Sequence, residues 1–228
     1  MSDGSSTPAV PAGTVIVVRD GHAGLEALLV RRTGTASFAA DAWVFPGGQV
    51  DPGDLRPDDP DEIVPARRAA ARELAEEAGV LAPAASLVPW ARFTPPPTAP
   101  RRYATWFFVA PAPDGHGDVV VDGGEVDDHV WIRPSVAMAE REVGRLSLMP
   151  PTWVALWHLD QHPDTGSLLA HLRAREPELF EPRLLQGEGS TVVLYQGDAG
   201  YDDRDPLRPG RRHRLTMGPG PWQYLREL

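Results

Sequence analysis

Apolar residues fall in short runs over the first 132 positions and at helical spacing afterwards. Residues 14–18 (Thr-Val-Ile-Val-Val) form the unbroken apolar run that a buried strand needs, and residues 25–31 form a second. Their connection, Asp20-Gly21-His22-Ala23-Gly24, has hairpin chemistry. Strand signals recur at residues 42–45, 103–110 and 129–132. Beyond Arg133-Pro134 the pattern predicts helices over residues 135–142, 152–161 and 165–175, then a strand over 190–195 and a tail rich in Gly, Asp and Arg. No internal repeat is visible.

The stretch from Arg72 to Val80, Arg-Glu-Leu-Ala-Glu-Glu-Ala-Gly-Val, predicts a short helix between the third and fourth strands. At about 100° per residue, Glu73, Glu76 and Glu77 share an arc of roughly 100°, while Leu74, Ala71, Ala75 and Ala78 take the opposite arc. The expectation is a helix that packs by its apolar face and displays its glutamates from the other. Gly79 is placed to end it. Such glutamates raise one another's proton affinity unless a cation sits among them, and oxygen-only ligands suit Mg²⁺ or Mn²⁺. A solvated surface face is the plain alternative. Upstream, Trp43-Val44-Phe45 runs into Pro46-Gly47-Gly48, where glycine lets backbone approach a ligand closely.

Composition narrows the classes. The 228 residues suffice for one buried core with an appended subdomain. Cysteine is absent, which excludes disulfides, thiol catalysis and a Cys-ligated zinc site. The seven histidines show no metal spacing. Every basic side chain among the 22 is Arg, and the formal charge of −10 argues against a partner as polyanionic as a long nucleic acid. No apolar run is long enough to span a bilayer, and the first 13 residues lack signal-peptide order, so a soluble cytoplasmic protein is expected.

The residues from 48 to 80 resemble the signature of Nudix hydrolases: Gly, five residues, Glu, seven residues, then Arg-Glu-aliphatic-any-Glu-Glu-any-Gly-aliphatic. Arg72, Glu73, Leu74, Glu76, Glu77, Gly79 and Val80 match its second half. In the first half Gly48 is followed after five residues by Asp54 in place of Glu, and 17 residues rather than seven separate Asp54 from Arg72. The inserted stretch, residues 55–62, is polar and Pro-rich and reads as a surface loop.

Residues 28–33, 36–38, 44–48, 90–95 and 101–105 are similar to the branch containing the organellar coenzyme A diphosphatases. The resemblance implies an α/β fold, an α/β/α sandwich around a mixed β-sheet. It places a flexible tail at residues 1–11, the domain at 12–140, and a C-terminal helical extension and tail at 141–228 packed on the same domain. It implies metal-dependent hydrolysis of a diphosphate in a nucleoside diphosphate derivative. Glu76 and Glu77 are then metal ligands, and Glu73 is a third ligand or the base that orients water. Arg72 belongs to the catalytic set, pairing with a neighbouring glutamate. Glu125 and Asp54 are additional candidates for metal or base. Gly47, Gly48, Arg32, Arg101 and Arg102 are candidate substrate contacts.

The expected partner is a small diphosphate, with no membrane, and homodimerisation stays open. Coenzyme A or acyl-coenzyme A competes with ADP-ribose, dinucleotides and nucleotide sugars. A non-hydrolytic nucleotide sensor is the alternative class.

Overall fold

The computed structural model describes residues 8–34, 40–99, 101–113, 118–187 and 189–227; the resemblance at residues 36–38 lies outside them. The chain divides into two compact units. The larger comprises Pro11–Ala91 and Thr105–Glu178.

Its sheet is built from β1 (Val10–Gly21), β2 (Gly24–Arg32), β3 (Trp43–Val44), β4 (Gly47–Gln49), β5 (Val88–Phe93), β6 (Tyr103–Pro111) and β7 (Val126–Ile132). β1 and β2 form the expected hairpin, with Gly21 opposite Gly24. The order runs β3-β2-β1-β6-β5, with β4 on β1 and β7 on β2, and a parallel bridge joins Trp43 to Leu148. Of the expected N-terminal tail, residues 1–7 lie outside the described residues, and Val10 and Pro11 already belong to β1.

Helix α1 (Ile63–Ala78) runs 16 residues, starting well before Arg72. Asp61 Oδ1 accepts the backbone N–H groups of Ile63 and Val64 at its start, and Gly79, at φ 66°, closes its end by donating to Ala75 O. Alternation along the strands gives the sheet two apolar faces. Val15, Val17, Leu28, Val30, Trp106 and Phe108 pack with Ala66, Ala70, Leu74 and Ala78 of α1. Each such side chain, when buried, stabilises the fold by about 1.5–3 kcal/mol if large. Ile16, Trp90 and Val109 point the other way, toward Ala155 and Leu159 of α3 (Pro150–Leu159) and Leu168 and Leu172 of α4 (Thr165–Arg173). Helices therefore cover both faces of a mixed sheet. Helix α2 (Pro134–Glu142) follows β7, and the three C-terminal helices begin and end within two residues of expectation.

The smaller unit holds Arg92–Ala104 and Leu179–Leu228, with the N-terminal residues through Val10. Here Phe93 stacks on Phe180, which closes β8 (Glu178–Phe180), at 4.3 Å between ring centroids. The expected last strand is β10 (Ser190–Leu194), but it is one of four: β9 (Arg183–Gly187), β11 (His213–Met217) and β12 (Gln223–Arg226) complete an antiparallel sheet in the order β12-β11-β10-β9. The tail is thus more ordered than its composition suggests, and the extension is not helical alone. Among the described residues no helix is long and apolar enough to cross a membrane.

Candidate active site

The site lies within the larger unit, where three glycines bring β1, β4 and α1 together. β4 pairs with β1 through Ala12–Gln49, Gly13–Gly48 and Thr14–Gly47. A Cβ on Gly13 would lie 2.1 Å from Ala66 O, so only glycine lets α1 approach β1 this closely. Gly47 donates its backbone N–H to Glu77 Oε2 at 2.9 Å. A Cβ on Gly48 would sit 2.3 Å from Glu73 Oε1. Thr14 locks the approach to β4, its hydroxyl donating to Pro46 O at 2.6 Å.

The glutamates do not share one environment. Glu76 is exposed, Glu73 is half-buried and Glu77 is only 3% exposed. This corrects the expected solvent-facing carboxylate arc. The helix rolls so that its buried arc runs through Ala66, Glu77, Ala70 and Leu74, and the Gly47 N–H meets the Glu77 carboxylate there. Burial pushes the Glu77 carboxyl up to about 8; the Gly47 N–H and the charge of Arg32 oppose the shift, while Glu73 and Glu125 add to it. Glu73 is also raised, first by burial and further by Glu76 and Glu125, against the pull of Arg72.

Arg72 is the hub. Its Nη1 donates to Glu73 Oε1 at 2.8 Å and to Glu76 Oε2 at 2.9 Å; its Nη2 donates to Asp54 Oδ2 at 3.0 Å and Gln49 O at 3.1 Å. Asp54 is buried, its Oδ2 also accepting from Asp51 N at 3.0 Å, so its carboxylate is engaged in holding Arg72. Arg68 supports Asp54 from behind: its Nε donates to Asp54 O at 2.7 Å while its Nη2 grips Asp59. Neither Arg68 nor Asp59 stood out in the sequence, although an Arg one helical turn before Arg72 and an Asp-rich insertion were the available signals.

The remaining candidates divide. Glu125 stands at a turn fixed by Asp122, whose carboxylate accepts the N–H groups of Glu125 and Val126, and the Glu125 carbonyl accepts Thr33 N at 3.0 Å. Its charge acts on both Glu73 and Glu77. Arg32 acts on Glu77, and its buried Nε has no hydrogen-bond partner among the described residues. Arg31 pairs with Asp127 at 2.8 Å and faces the Trp43 ring. Arg101 and Arg102 belong to the smaller unit, where Arg102 Nε donates to Pro95 O at 3.1 Å.

Among the described residues no three acidic or histidine side chains converge on a point that could hold a metal ion. Arg72 draws Glu73 and Glu76 toward itself, and Glu77 is turned to Gly47. The donor chemistry still fits a hard divalent cation, since all the carboxylates are oxygen ligands and two carry a proton affinity that a cation would relieve.

A NUDIX domain model matches residues 9–150. The chain belongs to the NUDIX family. A Caenorhabditis elegans protein assigned as nudix hydrolase 7 is 28% identical over 231 residues, covering 84% of this chain and 76% of that protein. The crystal structure of a NUDIX hydrolase from Alicyclobacillus acidocaldarius is similar at 26% identity and a TM-score of 0.63, over 73% of this chain and 97% of that one. The NUDIX domain of Shewanella oneidensis NrtR, solved with ADP-ribose, shares the fold at 15% identity and a TM-score of 0.51, over 71% and 92% of the two chains. This NUDIX chain is a hydrolase of diphosphate linkages in small molecules, in a family that generally uses divalent metal ions.

Proposed function

We propose that this NUDIX hydrolase cleaves the diphosphate of a nucleoside diphosphate derivative, coenzyme A or an acyl-coenzyme A before others, with Mg²⁺ or Mn²⁺ held by Glu73, Glu76 and Glu77. One observation carries the metal assignment. Glu77 is a buried carboxylate with raised proton affinity and, among the described residues, no cationic side chain hydrogen-bonded to it. A charge in that setting is costly unless a cation joins it.

A bound divalent ion supplies charge neutralisation at the diphosphate oxygens and a more acidic attacking water. The chain's own residues do the rest. Glu73, held by Arg72 beside Gly48, is the third ligand or the base that orients the water. Arg72 holds the directions of Glu73 and Glu76 and keeps its charge throughout. Glu125 adds a fourth acid, and Gly47 and Gly48 let the backbone come close to the phosphates.

Coenzyme A differs from ADP-ribose in its 3′-phosphate and pantetheine arm, so its enzyme needs an extra cation. Arg31 is already paired with Asp127 and Asp128. Arg32, with its unmatched Nε, is the better candidate for a phosphate contact. Arg101 and Arg102 complete the set to be varied. The same reading keeps the catalytic domain at residues 12–140.

The test compares catalytic efficiency on coenzyme A, its 3′-dephosphorylated form, ADP-ribose and NADH. Preference for coenzyme A over the dephosphorylated form supports the assignment, because a site built around a charge rejects the ligand that lacks it. Equal rates, or a preference for ADP-ribose, remove the coenzyme A assignment alone. The ADP-ribose complex of the Shewanella domain makes the second arm concrete. Tight binding of one compound without turnover of any would turn the reading into that of a sensor.

A further inference from the structure

We propose that the insertion before α1 is wired into the active site, and that Asp59 and Arg68 are positioning residues for Glu73. The inference rests on the reading of Glu73 given above.

The insertion looks from its composition like a solvated loop, and most of residues 55–62 are exposed. Asp59 is the exception. Its side chain is 13% exposed, against 19% for its partner Arg68. Asp59 closes a turn on Arg56, accepting Arg56 N through Oδ2 at 2.8 Å while Asp59 N donates to Arg56 O at 3.2 Å. Arg68 Nη2 then donates to both Asp59 oxygens, at 2.6 and 2.5 Å. Charge-assisted contacts of this kind fix direction as well as position.

The other arm of the same guanidinium reaches Asp54 O at 2.7 Å. Asp54 is the buried acid whose Oδ2 accepts from Arg72 Nη2, and Arg72 Nη1 donates to Glu73 Oε1. A continuous chain of contacts therefore runs Asp59, Arg68, Asp54, Arg72, Glu73. Arg68 and Arg72 stand one helical turn apart on the same side of α1, which lets both clasp the segment carrying Asp54.

The chain also shows why the insertion needs an anchor. Arg72 has more acceptors around it than it can serve equally, with Asp51 Oδ2 3.6 Å away besides Asp54, Glu73, Glu76 and Gln49 O. What decides among them is where Asp54 sits. Asp54 is the last residue of the short 3-10 turn Pro52–Asp54, immediately before the insertion. Without the hold of Arg68 and Asp59, a long polar segment would pull on Asp54 directly. With it, the segment that leaves Asp54 is tied to α1 at Asp59.

The experiment is kinetic and calorimetric, on the full chain. Wild type and Asp59→Ala are assayed on the best substrate of the panel, each also in a Glu73→Gln background, with Mn²⁺ binding and melting temperature measured on all four. The expected result for Asp59→Ala is a fall in kcat of about tenfold, with KM within about twofold, because groups that orient catalytic or metal-binding side chains are worth that much. The melting temperature stays within a few degrees, roughly the shift of a lost part-exposed ion pair. Mn²⁺ binding weakens in the wild-type background and does not weaken further in Glu73→Gln, the signature of action through Glu73. Asp59→Glu restores part of kcat.

An Asp59→Ala protein with wild-type kcat and Mn²⁺ affinity overturns the inference and leaves the proposed function standing. So does a loss of activity that tracks a large fall in melting temperature, or one equal in both backgrounds. A wild-type protein that neither binds Mn²⁺ nor cleaves any diphosphate overturns the reading of Glu73 and this inference together.

Discussion

The backbone N–H of Gly47 donates to Oε2 of Glu77 across 2.9 Å, joining a three-residue strand to the helix that carries the acids. The bond holds a carboxylate where water is scarce, and it leaves most of the charge unanswered.

Glu77→Gln keeps an oxygen for Gly47 and removes the charge, so the fold should persist. Wild type should gain about 2.7 kcal/mol from Mg²⁺ at a hundred times its dissociation constant, by mass action. For a chain of this size that is a rise in melting temperature of roughly 5–10 °C. In Glu77→Gln a loss of affinity of about a hundredfold would leave about 0.4 kcal/mol of that gain at the same Mg²⁺ concentration, a rise of roughly 1–2 °C. Differential scanning fluorimetry with and without Mg²⁺ is the measurement, and an undiminished response would place the ion elsewhere.

Gly13 and Gly48 both lack room for a methyl group, yet they should fail differently. At Gly13 the obstacle is Ala66 O, a rigid backbone atom, so Gly13→Ala should destabilise by about 1–3 kcal/mol or more through forced separation of β1 and α1. At Gly48 it is the end of the Glu73 side chain, which can swing aside. Gly48→Ala should therefore lower kcat by about 10²-fold, the scale set by a misplaced catalytic group, with little change in melting temperature. Denaturant melts and initial rates on the two variants decide. Similar stability losses in both would show that Glu73 is as fixed as backbone.

In the smaller unit Arg214 grips Asp198 with two bonds, Nε to Oδ2 at 2.7 Å and Nη2 to Oδ1 at 2.6 Å, while Gly200 N and His213 N also donate to it. Burial alone would raise the Asp198 carboxyl; these partners outweigh it and hold the group below its usual range. A depressed carboxyl contributes stability that is fully present above its unfolded value, about 3.9, and lost as the pH falls through the folded value. Asp198→Ala should cost about 3–5 kcal/mol near neutrality, since it strands a buried guanidinium. Below about pH 4 the difference between wild type and variant should narrow, for the same linkage reason. Urea melts from pH 7 down to 3 would show it, and a constant gap would mean that Asp198 titrates alike in both states.

The sequence announced α1 and its acids because charge, glycine and apolar positions agree over nine consecutive residues. It could not announce that Glu77 is buried. Helical periodicity sorts residues by type, and Glu77 sits among alanines whose small size makes the buried arc ambiguous. β4 escaped because Gly47 and Gly48 have no strand propensity of their own and pair only because β1 lies alongside. β5 was hidden by Pro89 near its start, and β11 and β12 by the Arg and Gly around them. The role of Asp59 depends on Arg68, nine positions away, and no local rule connects a loop acid to a helix base at that spacing.

Thr33, the residue after Arg32, gives its N–H to the Glu125 carbonyl. One hydrogen bond thus couples the two opposite charges that act on Glu77 from outside its own helix. The strand end bearing the positive group and the turn bearing the negative one are geared together. A ligand that engages Arg32 is therefore one residue from a bond to the Glu125 turn, and contact at one charge reaches the segment that carries the other.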